Sequence, residues 1–331
     1  MTFRFSTIAG AVVVALGVFS SMAAKAEITV YNAQHESLVK AWIAGFTKET
    51  GIKVSYRQGS DLELANVIVQ EGRNSPADVF LTENSPAMTL VDGAGLFAPV
   101  DAATLALVPA TFRAGTGYWT GIAARTTVFV YNTARVPEAN LPKSLVDLQD
   151  PSWKGRWGAS PSGPDFQAIV GALLEIKGDA ATAAWLRAMK ANSSAYRGND
   201  AVMRAVNVGQ IDGGVIYHYY YFQDQALTGS GSKNVALHYF KNKDPGAFIS
   251  ISGGGVLASS KNMAEAQQFL RWIVSKAGQD LLRGAMEYAV ATGVESHAML
   301  PPLSGLDAPT IDPAKLNSRR VTELMTRAGL L

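Results

Sequence analysis

Tyr217, His218, Tyr219, Tyr220 and Tyr221 stand in one run, after Gly214-Val215-Ile216 and before Phe222, in a chain with no cysteine and four histidines. Phenol oxygens without thiols make a hard donor set. Such donors suit a hard trivalent cation, Fe3+ first among them, whereas thiolate sets select copper, zinc or iron–sulfur clusters. The same run also reads as a half-buried strand. Tyrosine favours strands, and alternation sends Tyr217, Tyr219 and Tyr221 to one face and His218, Tyr220 and Phe222 to the other. The two readings differ in geometry: Tyr219 and Tyr220 meet at one ion only if the extended run ends at Tyr217 and the chain then turns. A helix starting there would place neighbouring side chains about 100° apart.

The elements that would present this run follow from periodicity. Glu27–Tyr31 reads as a strand, and Leu38, Trp42, Ile43 and Phe46 recur at helical spacing before Gly51. Ile52–Arg57 is a second strand, and Ser60 with Glu63 has the spacing of a capping box opening a helix to Gly72. Asp78–Leu81 is a third strand and Asn84–Gly95 a third helix. Strands alternating with helices predict βαβ units and a mainly parallel sheet, whose ligands sit beyond the carboxyl ends of the strands. His35 follows the first strand and Glu83 the third. Two later β-rich stretches, Thr120–Tyr131 and Ala247–Leu257, bracket a middle region, Asn132–Lys243. The chain is therefore expected to cross twice between two lobes that close on a hinge. Further helices are expected at Asp165–Ile176, Met263–Ala277 and Ala314–Ala328.

The chain begins with a positive charge at Arg4, an apolar run at Ile8–Phe19, and small residues at Ala24 and Ala26. This pattern predicts a secretory signal cleaved before Glu27, its apolar run too short to act as an anchor. With no cysteine at the cleavage point a lipoprotein is not expected, and the mature protein is placed in the periplasm. The 29 basic and 27 acidic residues come level once Arg4 and Lys25 are removed. A nucleic-acid partner would require a basic excess. What remains is longer than one core usually supports, so two lobes are the expectation.

Tyr31-Asn32-Ala33-Gln34-His35, Pro76-Ala77-Asp78-Val79-Phe80-Leu81-Thr82-Glu83, Trp153-Lys154-Gly155, Asp244-Pro245-Gly246-Ala247 and the Tyr219-Tyr220 pair occur in order along the chain. In these motifs it resembles the periplasmic ferric-ion-binding proteins that serve ABC importers. The resemblance implies an α/β, two-lobed type II periplasmic-binding fold, with mixed sheets flanked by helices and joined by hinge strands. Residues 27–126 with 250–300 would form one lobe, and 127–249 with 301–331 the other. It further implies that His35 and Glu83 from one lobe and Tyr219 and Tyr220 from the other hold Fe3+. The implied partners are an inner-membrane ABC permease and its ATPase, with the protein itself a monomer. Family members add a small synergistic anion. Ser162-Gly163 before the helical run at Asp165 is a candidate cradle, because the first N–H groups of a helix are unpaired. Pro164 departs from the pattern, since proline offers no N–H. Asn199 keeps a family anion-contact position, while Tyr217 stands where phosphate-binding members place an asparagine. Carbonate held by Arg125, or a further phenol from Tyr217 or Tyr221, would meet the same demand.

Each of these residues also has a plainer role open to it. His35 alone reads as a surface or capping histidine, and Glu83 as a helix-start carboxylate. His218 either supports a tyrosine or is structural, and His238 and His297 read as structural. Arg125 pairs with an anion, with Glu83, or in an ordinary salt bridge. No Gly-x-Ser-x-Gly elbow and no cysteine nucleophile is present, and Ser160, Ser162 and Asp165 have no base beside them. No enzyme is expected. The competing readings are the same fold binding an organic or oxyanion solute, and a periplasmic hydrolase or metal-dependent enzyme, which would need an open coordination position and a general base.

Overall fold

A computed structural model describes residues 27–331; the signal-peptide expectation concerns residues 1–26 and lies outside them. The chain opens with β1 (Glu27–Asn32), α1 (Glu36–Thr50), β2 (Lys53–Gln58), α2 (Asp61–Glu71), β3 (Val79–Leu81) and α3 (Ser85–Gly93). These are the three strand–helix units predicted, with boundaries moved by one or two residues. A short α4 (Ala102–Leu105) leads to β4 (Thr120–Asn132), whose 13 residues are all buried. Next come β5 (Trp157–Ala159), α5 (Pro164–Asn192), β6 (Ser193–Ala195), α6 (Asn199–Asn207), β7 (Gly213–Tyr217) and α7 (Tyr219–Leu227). The chain closes with β8 (Val235–His238), β9 (Ile249–Val256), α8 (Met263–Ile273), α9 (Lys276–Asp280), α10 (Leu282–Ala285) and α11 (Ser318–Arg327).

The strands run in the order β2-β1-β3-β9-β4-β7-β5-β6, with β8 also on β4. The outer strands pair in parallel, as the βαβ reading expects: β1 with β2 and β3, and β5 with β6 and β7. The centre is antiparallel, because β4 and β9 are crossing strands that run against both flanks. β4 bonds β9 up to Thr126 and then, from Thr127 onward, β7 and β8. One strand is thus shared by two strand groups, and it changes partner between Thr126 and Thr127.

Local sequence explains where the prediction and the structure part. α5 starts at Pro164, whose fixed φ suits a first helical position. It runs past the predicted end to Asn192 with a break at Gly178, where φ is 76°. The predicted helix Met263–Ala277 is divided because the Ser275 side chain caps α9. The predicted Ala314–Ala328 helix starts later, at Ser318, where the Asn317 side chain accepts from the Arg320 N–H at 3.0 Å. Among the described residues no helix is long and apolar enough to cross a membrane.

Candidate metal centre

The turn into α7 decides the geometry of the tyrosine run. β7 stops at Tyr217, His218 takes helical backbone angles, and α7 begins at Tyr219. The turn is pinned to β4 where that strand changes partner. The His218 N–H donates to the Thr126 carbonyl at 3.0 Å, and the Thr126 N–H donates to His218 Nδ1 at 3.1 Å. The consequence is the one the metal reading demands. The Tyr219 and Tyr220 rings lie side by side, with centroids 4.2 Å apart and planes 29° apart. Tyr221, a further residue along α7, packs edge-on against Phe222 at 5.3 Å instead. Two positions along a helix turn a side chain by about 200°, so Tyr221 leaves the pair.

The opposing groups come from the ends of β1 and β3. Asn32 braces the first turn, its side chain donating to the Gln34 carbonyl at 2.7 Å, and His35 then stands just before α1 with its side chain making no capping bond. Glu83 and Asn84 follow β3, and the buried Asp61 carboxylate accepts from both of their backbone N–H groups at 2.9 and 3.0 Å. His35 Nε2 lies 3.0 Å from Glu83 Oε1. The His35 ring meets the Tyr219 ring edge-on at 5.1 Å. His35, Glu83, Tyr219 and Tyr220 are therefore brought together, and His35, Tyr219 and Tyr220 line a cavity of about 640 Å³ that Asp200, Gln223 and Met286 also border.

The anion residues fall differently. Ser162 is exposed, and the Gly163 N–H is already donated to the Ser160 carbonyl at 3.0 Å. The start of α5 is served by Asp165, which the sequence marks only as the first residue of a helical run and which is 4% exposed. Its carboxylate accepts from Asn199 at 2.8 Å, from Asn84 at 3.1 Å and from the Tyr219 hydroxyl at 3.3 Å. Asn199, expected to hold an anion, holds this carboxylate. Arg125 does not face open cleft: it is fully buried, pairs with Glu287 at 2.9 Å, and donates to Gln34 Oε1 and the Glu83 carbonyl. The expected contact with the Glu83 side chain is replaced by one with its backbone. Tyr217 is likewise fully buried, donating to Asn84 Oδ1 at 3.2 Å and the Asp165 carbonyl at 3.3 Å. It joins the two strand groups instead of offering a free phenol.

Electrostatics follow from burial. Burial opposes a charged His35, but hydrogen bonds to Glu287 and Glu83 overcome it and lift the imidazole to about 10. Burial, then the nearby Glu83, pushes Asp165 up to about 6 and Asp61 up to about 8. Burial followed by Asp165 raises the Tyr219 and Tyr220 phenols above their ordinary range. Protons thus sit on groups whose lone pairs suit a cation. Burial lowers His218 to about 3, so it stays neutral as the turn's brace. Among the described residues no three His, Cys, Asp or Glu side chains form a metal-holding group by themselves.

Fold and cleft together define a solute-binding protein of the two-lobed, type II periplasmic kind. The profile of the bacterial extracellular solute-binding proteins matches residues 74–312. The chain is 64% identical, over 95% of its length and 94% of the relative's, to the "Fe(3+)-binding periplasmic protein" of Serratia marcescens. It is 35% identical to the "Major ferric iron-binding protein" of Neisseria meningitidis, over 93% and 94% of the two chains. Iron-bound HitA from Pseudomonas aeruginosa superposes with a TM-score of 0.88 at 41% identity, covering 92% of this chain and 100% of that one. The chain belongs to the bacterial extracellular solute-binding protein family, in its periplasmic ferric-ion-binding branch.

Proposed function

We propose that this protein captures Fe3+ in the periplasm, in the cleft between its lobes, and delivers it to an inner-membrane ABC permease and its ATPase without catalysing a reaction. Residues 27–126 with 250–300 form one lobe of this reading, and 127–249 with 301–331 the other. His35 and Glu83 meet Tyr219 and Tyr220 at the cation. The observation that carries the reading is the pair of stacked phenols beside the His35–Glu83 contact. Two phenolates and one carboxylate balance a trivalent ion, and imidazole adds a neutral donor. Asp165 supplies a second carboxylate in the place of a synergistic carbonate or phosphate, held by Asn199 and Asn84. Donors from both lobes favour the closed arrangement by differential affinity, which is the form the permease would recognise.

The test is optical. Adding ferric citrate to the metal-free protein is expected to raise a phenolate-to-iron charge-transfer band, which Tyr219→Phe or Tyr220→Phe sharply weakens. No band in the wild type, or an unaltered band in both variants, removes the iron reading and leaves the organic or oxyanion solute.

A further inference from the structure

Glu287 takes no part in the set just proposed, yet its carboxylate is fully buried and 252 residues from the imidazole it touches. Burying a carboxylate is costly unless it is paired and hydrogen-bonded. Both oxygens are used. Oε2 lies 2.9 Å from the Arg125 guanidinium, and Oε1 lies 3.0 Å from His35 Nδ1. The backbone makes this placement a property of the crossing strand β4: Ala124 and Tyr288 exchange N–H···O bonds of 3.0 Å, which sets Glu287 beside Arg125.

A carboxylate ion-paired to arginine can only accept, so the contact requires a proton on Nδ1. The second proton of the charged imidazole lies on Nε2, the nitrogen turned towards Glu83 and the cleft, and it is the one a cation would displace. Arg125 extends the same brace to the other side of the site. It donates to the Glu83 carbonyl and to Gln34 Oε1, and Gln34 Oε1 accepts from the His35 N–H at 2.7 Å. Gln34 Nε2 donates to Ser252 on β9 at 3.0 Å, and Ser252 donates to the Glu83 carbonyl at 3.0 Å. The ring of bonds closes on the two crossing strands.

Resting on the ferric reading, we infer that Glu287 is a positioning residue for iron capture: it fixes the tautomer and ring orientation of His35 so that Nε2 presents its lone pair to the cation. Carboxylates that accept from a ligating histidine act this way at metal sites, and their loss costs about 10–100-fold in metal affinity.

Two measurements test it. In the metal-free wild type labelled with 15N-histidine, one imidazole N–H is expected to resist solvent exchange, to correlate with Nδ1, and to vanish in His35→Ala; no such Nδ1 proton at His35 overturns the inference. Because this arm uses the intact protein, it stands even if a Glu287 variant folds poorly. The second arm is a double-mutant cycle read by Fe3+ affinity against a competing chelator. Glu287→Gln is expected to lose about 10–100-fold in the wild-type background and nothing further in the His35→Ala background. Equal losses in both backgrounds would show Glu287 to be structural only. A wild type that takes up no Fe3+ overturns the ferric reading itself, whereas wild-type uptake with equal losses overturns only the role of Glu287.

Discussion

Asp165 is the residue whose chemistry depends most on its neighbours. In the sequence it is an acidic residue in the first turn of a helix, where a carboxylate is favoured by the helix dipole. In the structure it accepts from Asn84, Asn199 and Tyr219, residues on three other elements. A carboxylate held this way can replace a diffusible anion beside the phenols, whereas a bare helix start would need one. The prediction is specific. Asp165→Ala should weaken Fe3+ uptake and make it depend on added carbonate or phosphate, while the wild type binds equally with and without them. Titrations of both proteins with and without those anions settle the point, and a variant indifferent to them would remove Asp165 from the site.

At the scale of elements, β7 has to deliver the tyrosine turn to the crossing point on β4, and its two glycines make that approach possible. A Cβ at Gly213 would lie 2.1 Å from Phe129 Cζ, and one at Gly214 would lie 2.2 Å from Val202 Cγ1 and 3.1 Å from the Gly158 carbonyl. Side chains there would push β7 off β4 or α6 off β7. Gly214→Ala is expected to cost about 1–3 kcal/mol, the range for overpacking a dense core. Denaturant unfolding at constant slope measures it; an unshifted midpoint would mean that the strand has room the structure does not show. Much of this level was legible beforehand. The 3.6-residue spacing of Leu38, Trp42 and Phe46 and the Ser60–Glu63 capping box marked α1 and α2. The break at Gly178 was not legible, because a lone glycine between helical runs does not say whether the chain bends or stops.

For the whole molecule, the buried charges make stability depend on pH. Asp61, Asp165 and His35 all hold their protons more tightly in the folded chain than in the unfolded one. The native state then carries more protons, so stability falls as pH rises. The Asp165 contribution is complete below its unfolded value of 3.8 and fades through about 6, while that of Asp61 fades through about 8. The His35 contribution is complete below 6.5 and fades through about 10. The melting temperature of the metal-free protein should therefore decline between about pH 6 and pH 9. Differential scanning calorimetry across that range checks the sign, and a rising profile would contradict it.

The sequence alone pointed to the α/β class, the crossing strands and a cluster of phenol oxygens, because periodicity and residue type are local properties. It also posed the question on which the site turns, whether strand ends and helix begins between Tyr217 and Tyr219. Tertiary structure decided the rest. Tyr221 points away and Tyr217 is spent on Asn84, outcomes set by helix phase and by packing across the cleft. Arg125 and Glu287 find each other across 162 residues, and Glu287 reaches His35 across 252. No spacing rule encodes such contacts, since they exist only once β4 and the segment after α10 lie side by side.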